Sequence, residues 1–332
     1  MKNHLTVRRL SVFFTIVASL NTANLVMSSE KHKLTIADVE KIMASVSNWG
    51  RWGTDDQLGA LNLITTDKRK EAAALVKSGL SISLSRNAIK NKIGVSEPFE
   101  HRMVETGSTP GAVSSSDVYS VQYHGYTQTH LDALCHIFYK GQMYNGFSQR
   151  DVTERGAKTL SVIEVKNGIF TRGVLIDMPR VLGSKYLHAG QGIYPEDLDA
   201  WEKKTGTRIR SGDAVFIRTG RWARWKAEGE WDIEKGSAGL DVSSMPWFKK
   251  RDIAVLASDL AADVMPSGVD EFRLPVHWVT IYSMGVVIID NCDLEKLGDY
   301  TAAHKRWDFL FTVAPLAVEG GTGAPVNPTA TF

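Results

Sequence analysis

The chain lacks most of the signatures that would place it in a familiar class. It has two cysteines, Cys135 and Cys292, in 332 residues. Two thiols make no disulfide framework, and without a CxxC there is no zinc-finger or thioredoxin-type motif. Beyond the first 29 residues, no apolar run approaches the length of about 18 residues that spans a bilayer. The net charge is only +2 and no arginine-rich strip occurs, which argues against a nucleic-acid partner. A GxSxG elbow, a P-loop and a GxGxxG turn are all missing, so three large enzyme classes have no motif here.

What is present is the composition of an ordinary globular protein, 43% apolar and 23% charged. The nine tryptophans are a high number, and suit either an apolar pocket or plain core packing. The first 29 residues stand apart. Lys2, Arg8 and Arg9 are their only charges, so the rest of the chain has a net charge of −1. Leu10 to Leu20 form an apolar run, followed by small and polar residues up to Ser29. That is the layout of a secretory signal peptide, too short to stay in a membrane. The expected location is secreted or periplasmic, with a mitochondrial or cytoplasmic protein as the alternatives. No repeat or linker follows, so residues 30–332 are expected to form one catalytic domain.

Helical spacing predicts a helix over residues 36–46 behind the capping Thr35, and a second over 68–77 behind Thr66. Leu80 to Leu84 alternates as a strand. Residues 87–118 have weak periodicity and read as a long loop. Short apolar runs at 173–176, 214–217, 253–257, 286–289 and 309–313 read as buried strands, with a helix at 195–203. The mixture points to α/β, or to a β-rich body with helices outside.

One segment concentrates chemistry. Tyr123 to Phe138 (YHGYTQTHLDALCHIF) holds His124, His130, Asp132 and His136. On an extended chain, residues two apart share a side, so His130 and Asp132 can reach one ion together. A nitrogen and an oxygen ligand suit Zn²⁺ or Mn²⁺, as one ion or two. His124 has the same parity, and faces that side if the strand is continuous. His136 returns to the site if a helix begins near Ala133. The bland reading is a polar surface pair. His277 follows Pro275, and Asp290 closes a predicted strand. His101 lies in the long loop, His188 and His304 in polar surroundings, and His4 and His32 in the tail. Cys135 beside His136 makes a poor nucleophile pair, because adjacent side chains diverge.

At Thr129 to His136 the chain resembles the cyclase superfamily that includes kynurenine formamidase and isatin hydrolase, whose hallmark is HxGTHxDxPxH. Thr129, His130, Asp132 and His136 match it. Tyr126 stands where the first histidine belongs, Gln128 replaces glycine and Leu134 replaces proline. Because the missing histidine is a metal ligand in that family, either His124 substitutes for it or Tyr126 stands at the site. Blocks at 49–65, 171–177, 212–222, 286–297 and 320–328 extend the likeness over about residues 47–332. Asp290 falls where the family carries a glutamate of the metal site, and His277 near its later histidine.

The resemblance implies a single α/β domain of the swivelling β/β/α type, with a mixed, partly barrelled β core and outer helices. It implies a metal-dependent hydrolase of an amide, formamide, cyclic amide or ester. The metal ligands would be His130, Asp132, His124 and Asp290, with His136 or His277 moving the proton. Tyr126, Trp49, Trp52 and Trp222 are the expected substrate contacts. It also implies a homodimer or homotetramer, with residues 49–62 covering a neighbour's pocket. Two other classes compete. A cupin-type oxygenase would normally carry an HxH pair, which is absent. A binding protein that kept the fold but lost the site would explain Tyr126.

Overall fold

The computed structural model describes residues 34–92 and 96–332. The targeting segment expected at 1–29 lies outside the described residues. Helix Ile36–Val46 forms behind a reciprocal cap between Thr35 and Asp38, and buries Val39, Met43 and Val46. The second helix is shorter than its periodicity suggests. It runs Thr66–Ala73 with Thr65, not Thr66, as its cap. The chain beyond is claimed by tertiary bonds: Arg306 donates to the Leu75 carbonyl, and the amides of Ser78 and Gly79 go to the Phe332 carbonyl.

Eleven strands matter here. They are β1 (Ser81–Ser83), β2 (Glu100–Glu105), β3 (Ser116–Ser120), β4 (His130–Asp132), β5 (Ile169–Asp177) and β6 (Ala214–Arg218). Then come β7 (Val255–Ser258), β8 (Val287–Asp290), β9 (Asp308–Val313), β10 (Gly323–Pro325) and β11 (Thr329–Thr331). Nine form one curled sheet in the order β1-β11-β9-β5-β6-β7-β8-β4-β10. The central four, β5 to β8, are parallel, and the strands flanking them are antiparallel. This is the mixed α/β architecture expected.

The central strands read as unbroken apolar runs because both of their faces are buried. Leu175, Phe216, Val255 and Ala257 enter one core. Val174, Ile176, Val215, Ile217 and Leu256 enter the other. Each large side chain so buried contributes about 1.5–3 kcal/mol.

The stretch 87–118 is not simply a loop. It contains most of a hairpin in which β2 pairs with β3, His101 lying opposite Tyr119. Both strands are exposed on nearly every residue. A ribbon wet on both faces shows no apolar alternation, so the sequence pattern gives no sign of it. His101 bonds Asp117 on that ribbon.

β4 sits where the parallel quartet gives way to antiparallel edges. Its His130 pairs with Asp290 of β8 and with Pro325 of β10, and its Asp132 pairs with Gly323.

Candidate metal centre

β4 sends His130 and Asp132 to one side, and Leu131 between them into the core. Asp290, opposite His130, ends β8 on the same side. His277 arrives from the short helix Pro275–His277, just before a π-helical stretch, Trp278–Ser283. Such stretches recur at functional sites.

His124 and His136 reach the site by routes other than those expected. β4 begins at His130, so no continuous strand carries His124. An irregular segment does so, bending at Gly125, whose φ of 142° suits glycine alone. Likewise no helix follows Ala133. A turn closed by the His136 amide on the Ala133 carbonyl brings His136 back. Its ring stacks on His124 at 3.9 Å between centroids.

The hydrogen bonds orient the rings. His130 Nδ1 donates to the Gln128 carbonyl at 2.8 Å, leaving Nε2 as a lone pair 3.4 Å from Asp132 Oδ1. His277 Nδ1 is 2.6 Å from Asp263 Oδ2, and its Nε2 is 3.2 Å from Asp290 Oδ2 and 3.9 Å from Asp132 Oδ2. His124 Nε2 bonds the Thr322 hydroxyl at 3.0 Å, while Nδ1 lies 2.9 Å from Asp132 Oδ1.

Electron-rich atoms thus converge with little between them. Buried Asp290 Oδ1 has no hydrogen-bond partner among the described residues, and His124 Nδ1 and Asp132 Oδ1, 2.9 Å apart, reach only members of the cluster itself. Leaving such atoms unmatched is costly unless a cation sits among them. Two triads meet the geometric need of a metal ion: His124, His130 and Asp132, and Asp132, His277 and Asp290. Asp132 belongs to both. The donor set of imidazole and carboxylate therefore fits a metal, and its mixed character suits Zn²⁺ or Mn²⁺. The supporting bonds are in place as well, with Gln128 and Asp263 orienting two of the rings.

Electrostatics agree with that geometry. Burial disfavours the charged form of Asp132, but His136, His130 and His124 outweigh it and hold the carboxyl well below its ordinary value. Burial also works against charge on His277, yet Asp290 and Asp263 raise it well above the usual imidazole range. His136 differs. Burial, helped by the neighbouring histidines, pushes it down to about 4, so it is neutral at neutral pH.

The triads open into a cavity of about 320 Å³. It is within the range of small-molecule sites. His124, Tyr126, His130, Asp132, His136, His277 and Asp290 all line it. The three tryptophans expected as substrate contacts do not. Trp49 bonds the Tyr282 carbonyl beside a different depression, and Trp52 packs against the second core beneath Arg51. Trp222 is buried between Arg86 and Arg221, its indole N–H on the Cys292 carbonyl. Trp278 is the tryptophan that lines the cavity. Sequence reasoning also misses Asp263, Arg273 and Glu234. The one available signal is their proximity in sequence to His277 or to a tryptophan, and that is weak.

Comparison with known proteins follows the same line. The family described as "Putative cyclase" matches residues 79–263. A solved structure described as a novel cyclase is 30% identical, covering 86% of this chain and 99% of its own, with a TM-score of 0.79. Isatin hydrolase A from Ralstonia solanacearum is 19% identical, with 76% of this chain and 91% of that one covered and a TM-score of 0.56. Isatin hydrolase A from Labrenzia aggregata, bound to benzyl benzoate, is 18% identical, with 78% of this chain and 94% of that one covered and a TM-score of 0.53. No curated protein matches the chain.

Proposed function

Since the chain belongs to the cyclase family, we propose that it is a metal-dependent hydrolase of a small aromatic substrate, cleaving an amide, formamide, cyclic amide or ester. The observation that carries this reading is the convergence of two histidine–carboxylate triads, sharing Asp132, on one cavity. His130 Nε2, Asp132, His277 Nε2 and Asp290 would hold the ion, Zn²⁺ or Mn²⁺, with His124 as a further ligand. A bound metal of this kind acidifies water and polarises a carbonyl.

The protein's own groups do the rest. The Gln128 carbonyl and Asp263 fix two imidazoles with their lone pairs toward the cavity. Since His277 faces two carboxylates, proton transfer falls to His136, which lines the cavity as a neutral base. It takes a proton from the attacking water and returns it to the leaving nitrogen or oxygen. Ile137, Leu274 and Trp278 supply apolar wall for a ring.

The test is elemental analysis of protein purified without chelator, beside His130→Ala. Bound Zn or Mn in the parent and its loss in the variant is the expected result. A variant that folds and keeps full metal occupancy overturns the assignment. Metal-loaded protein would then be screened against formamides, lactams and esters.

A further inference from the structure

Tyr126 and Arg273 line the same cavity and belong to neither triad. Arg273 is the one lysine or arginine among the lining residues. Its Nη2 donates to the Tyr126 hydroxyl at 2.8 Å and to Glu234 Oε1. Its Nε and Nη1 have no acceptor among the described residues, and the side chain is 56% exposed.

Tyr126 is firmly seated. Its carbonyl accepts from Arg221, and the preceding Gly125 carbonyl accepts from Asn291 Nδ2 at 2.7 Å. Its ring packs against the small cluster of Ile233, Leu260 and Met265. The hydroxyl is an acceptor toward Arg273, so its own proton is directed elsewhere. Among the described residues it is donated to Met265 Sδ at 3.9 Å, a weak partner. A phenol O–H and three guanidinium N–H groups are thus uncommitted at one place.

We propose that Tyr126 and Arg273 form a binding site for a carboxylate group carried by the aromatic substrate, which makes the substrate class small aromatic acids. This rests on the hydrolase reading for the word substrate, but not for the site itself. A guanidinium N–H gives a carboxylate a charge-assisted hydrogen bond, and with Nη2 held by Tyr126 and Glu234 that bond comes from Nε or Nη1. Glu234 holds Arg273 in place and offsets part of its charge, so the phenol is needed as the second donor. Trp278 and Leu274 provide apolar surface for the ring. Tyr126 is then a recognition residue, and its position outside the two ligand triads follows from that role.

The test is a fluorescence titration of full-length protein with 2-aminobenzoate and with neutral 2-aminobenzamide, as purified and after chelation. We expect the acid to bind roughly tenfold to a hundredfold more tightly, as a charge-assisted hydrogen bond implies. That preference should fall to near parity in Arg273→Gln and shrink in Tyr126→Phe, with metal content unchanged. Arg273→Lys keeps the charge without the guanidinium and should show an intermediate preference. It also serves if Arg273→Gln fails to fold. Equal affinities in the parent, no binding of either compound, or a preference that survives Arg273→Gln overturns the proposal. A preference that persists in that variant but vanishes on chelation places the carboxylate on the metal, and overturns it too. Protein that neither holds metal as purified nor takes it up on addition, yet shows the Arg273-dependent preference, would sink the hydrolase reading and keep this one.

Discussion

His277 is gripped at both ring nitrogens, by Asp263 at Nδ1 and by Asp290 at Nε2. Burial opposes its charge, but the two carboxylates win and raise it well above its ordinary value. His130 is raised by Asp132 against the same opposition. Any proton that such a ring holds on the nitrogen facing the cavity must leave when a cation takes its place. Adding Zn²⁺ or Mn²⁺ to chelated protein in weak buffer should therefore acidify the solution, and affinity should fall as pH falls. Uptake without proton release contradicts these assignments. Asp263→Asn should weaken metal binding roughly 10- to 100-fold, as loss of an orienting carboxylate does elsewhere. Unchanged affinity would reduce Asp263 to a cap for the Val276 amide. At this scale, His130 and Asp132 are legible in the sequence because parity alone puts them on one side of a strand. Asp263 is not, because its link to His277 depends on a loop that closes only in space. Which tryptophan lines the cavity is not legible either, since core and pocket tryptophans look alike in sequence.

β4 and β10 approach so closely that their pairing depends on Gly323. A Cβ added there would meet the Leu131 carbonyl oxygen at 2.3 Å and His124 Cε1 at 3.1 Å. Gly323→Ala should force the edge strand outward and shift His124. The expected cost is about 1–3 kcal/mol of stability, with weaker metal binding. Thermal unfolding and metal titration read the two effects separately, and parent-like values for both would mean that the edge yields freely. The buried strands β5 to β9 are legible as continuous apolar runs, with ends misplaced by a few residues. The hairpin β2–β3 is not, since nothing about a ribbon exposed on both faces repeats with period two in hydrophobicity. Nor is the turn that returns His136, because the backbone bond from His136 to Ala133 leaves no compositional mark.

For the molecule as a whole, we propose a dimer or tetramer, an expectation carried by the family resemblance. Met103, Val104, Val118 and Tyr119 on the exposed hairpin are apolar surface that a second copy would cover. Light scattering decides it, and the mass of a single chain in solution would end the idea. The segment Trp49–Asn62, expected to cover a neighbour's pocket, is tied to its own chain. Arg51 pairs with Asp252, the Gly50 amide donates to Asn145, and the Ala60 amide to the Gly285 carbonyl. The architecture also sets an order of events during synthesis. β4 is made early, yet its two neighbours in the sheet, β8 and β10, are made late. Until residue 323 has left the ribosome, His130 and Asp132 lie on a strand without both of its partners. A growing chain therefore carries His124, His130 and Asp132 for much of its synthesis before both of the strands that position them exist.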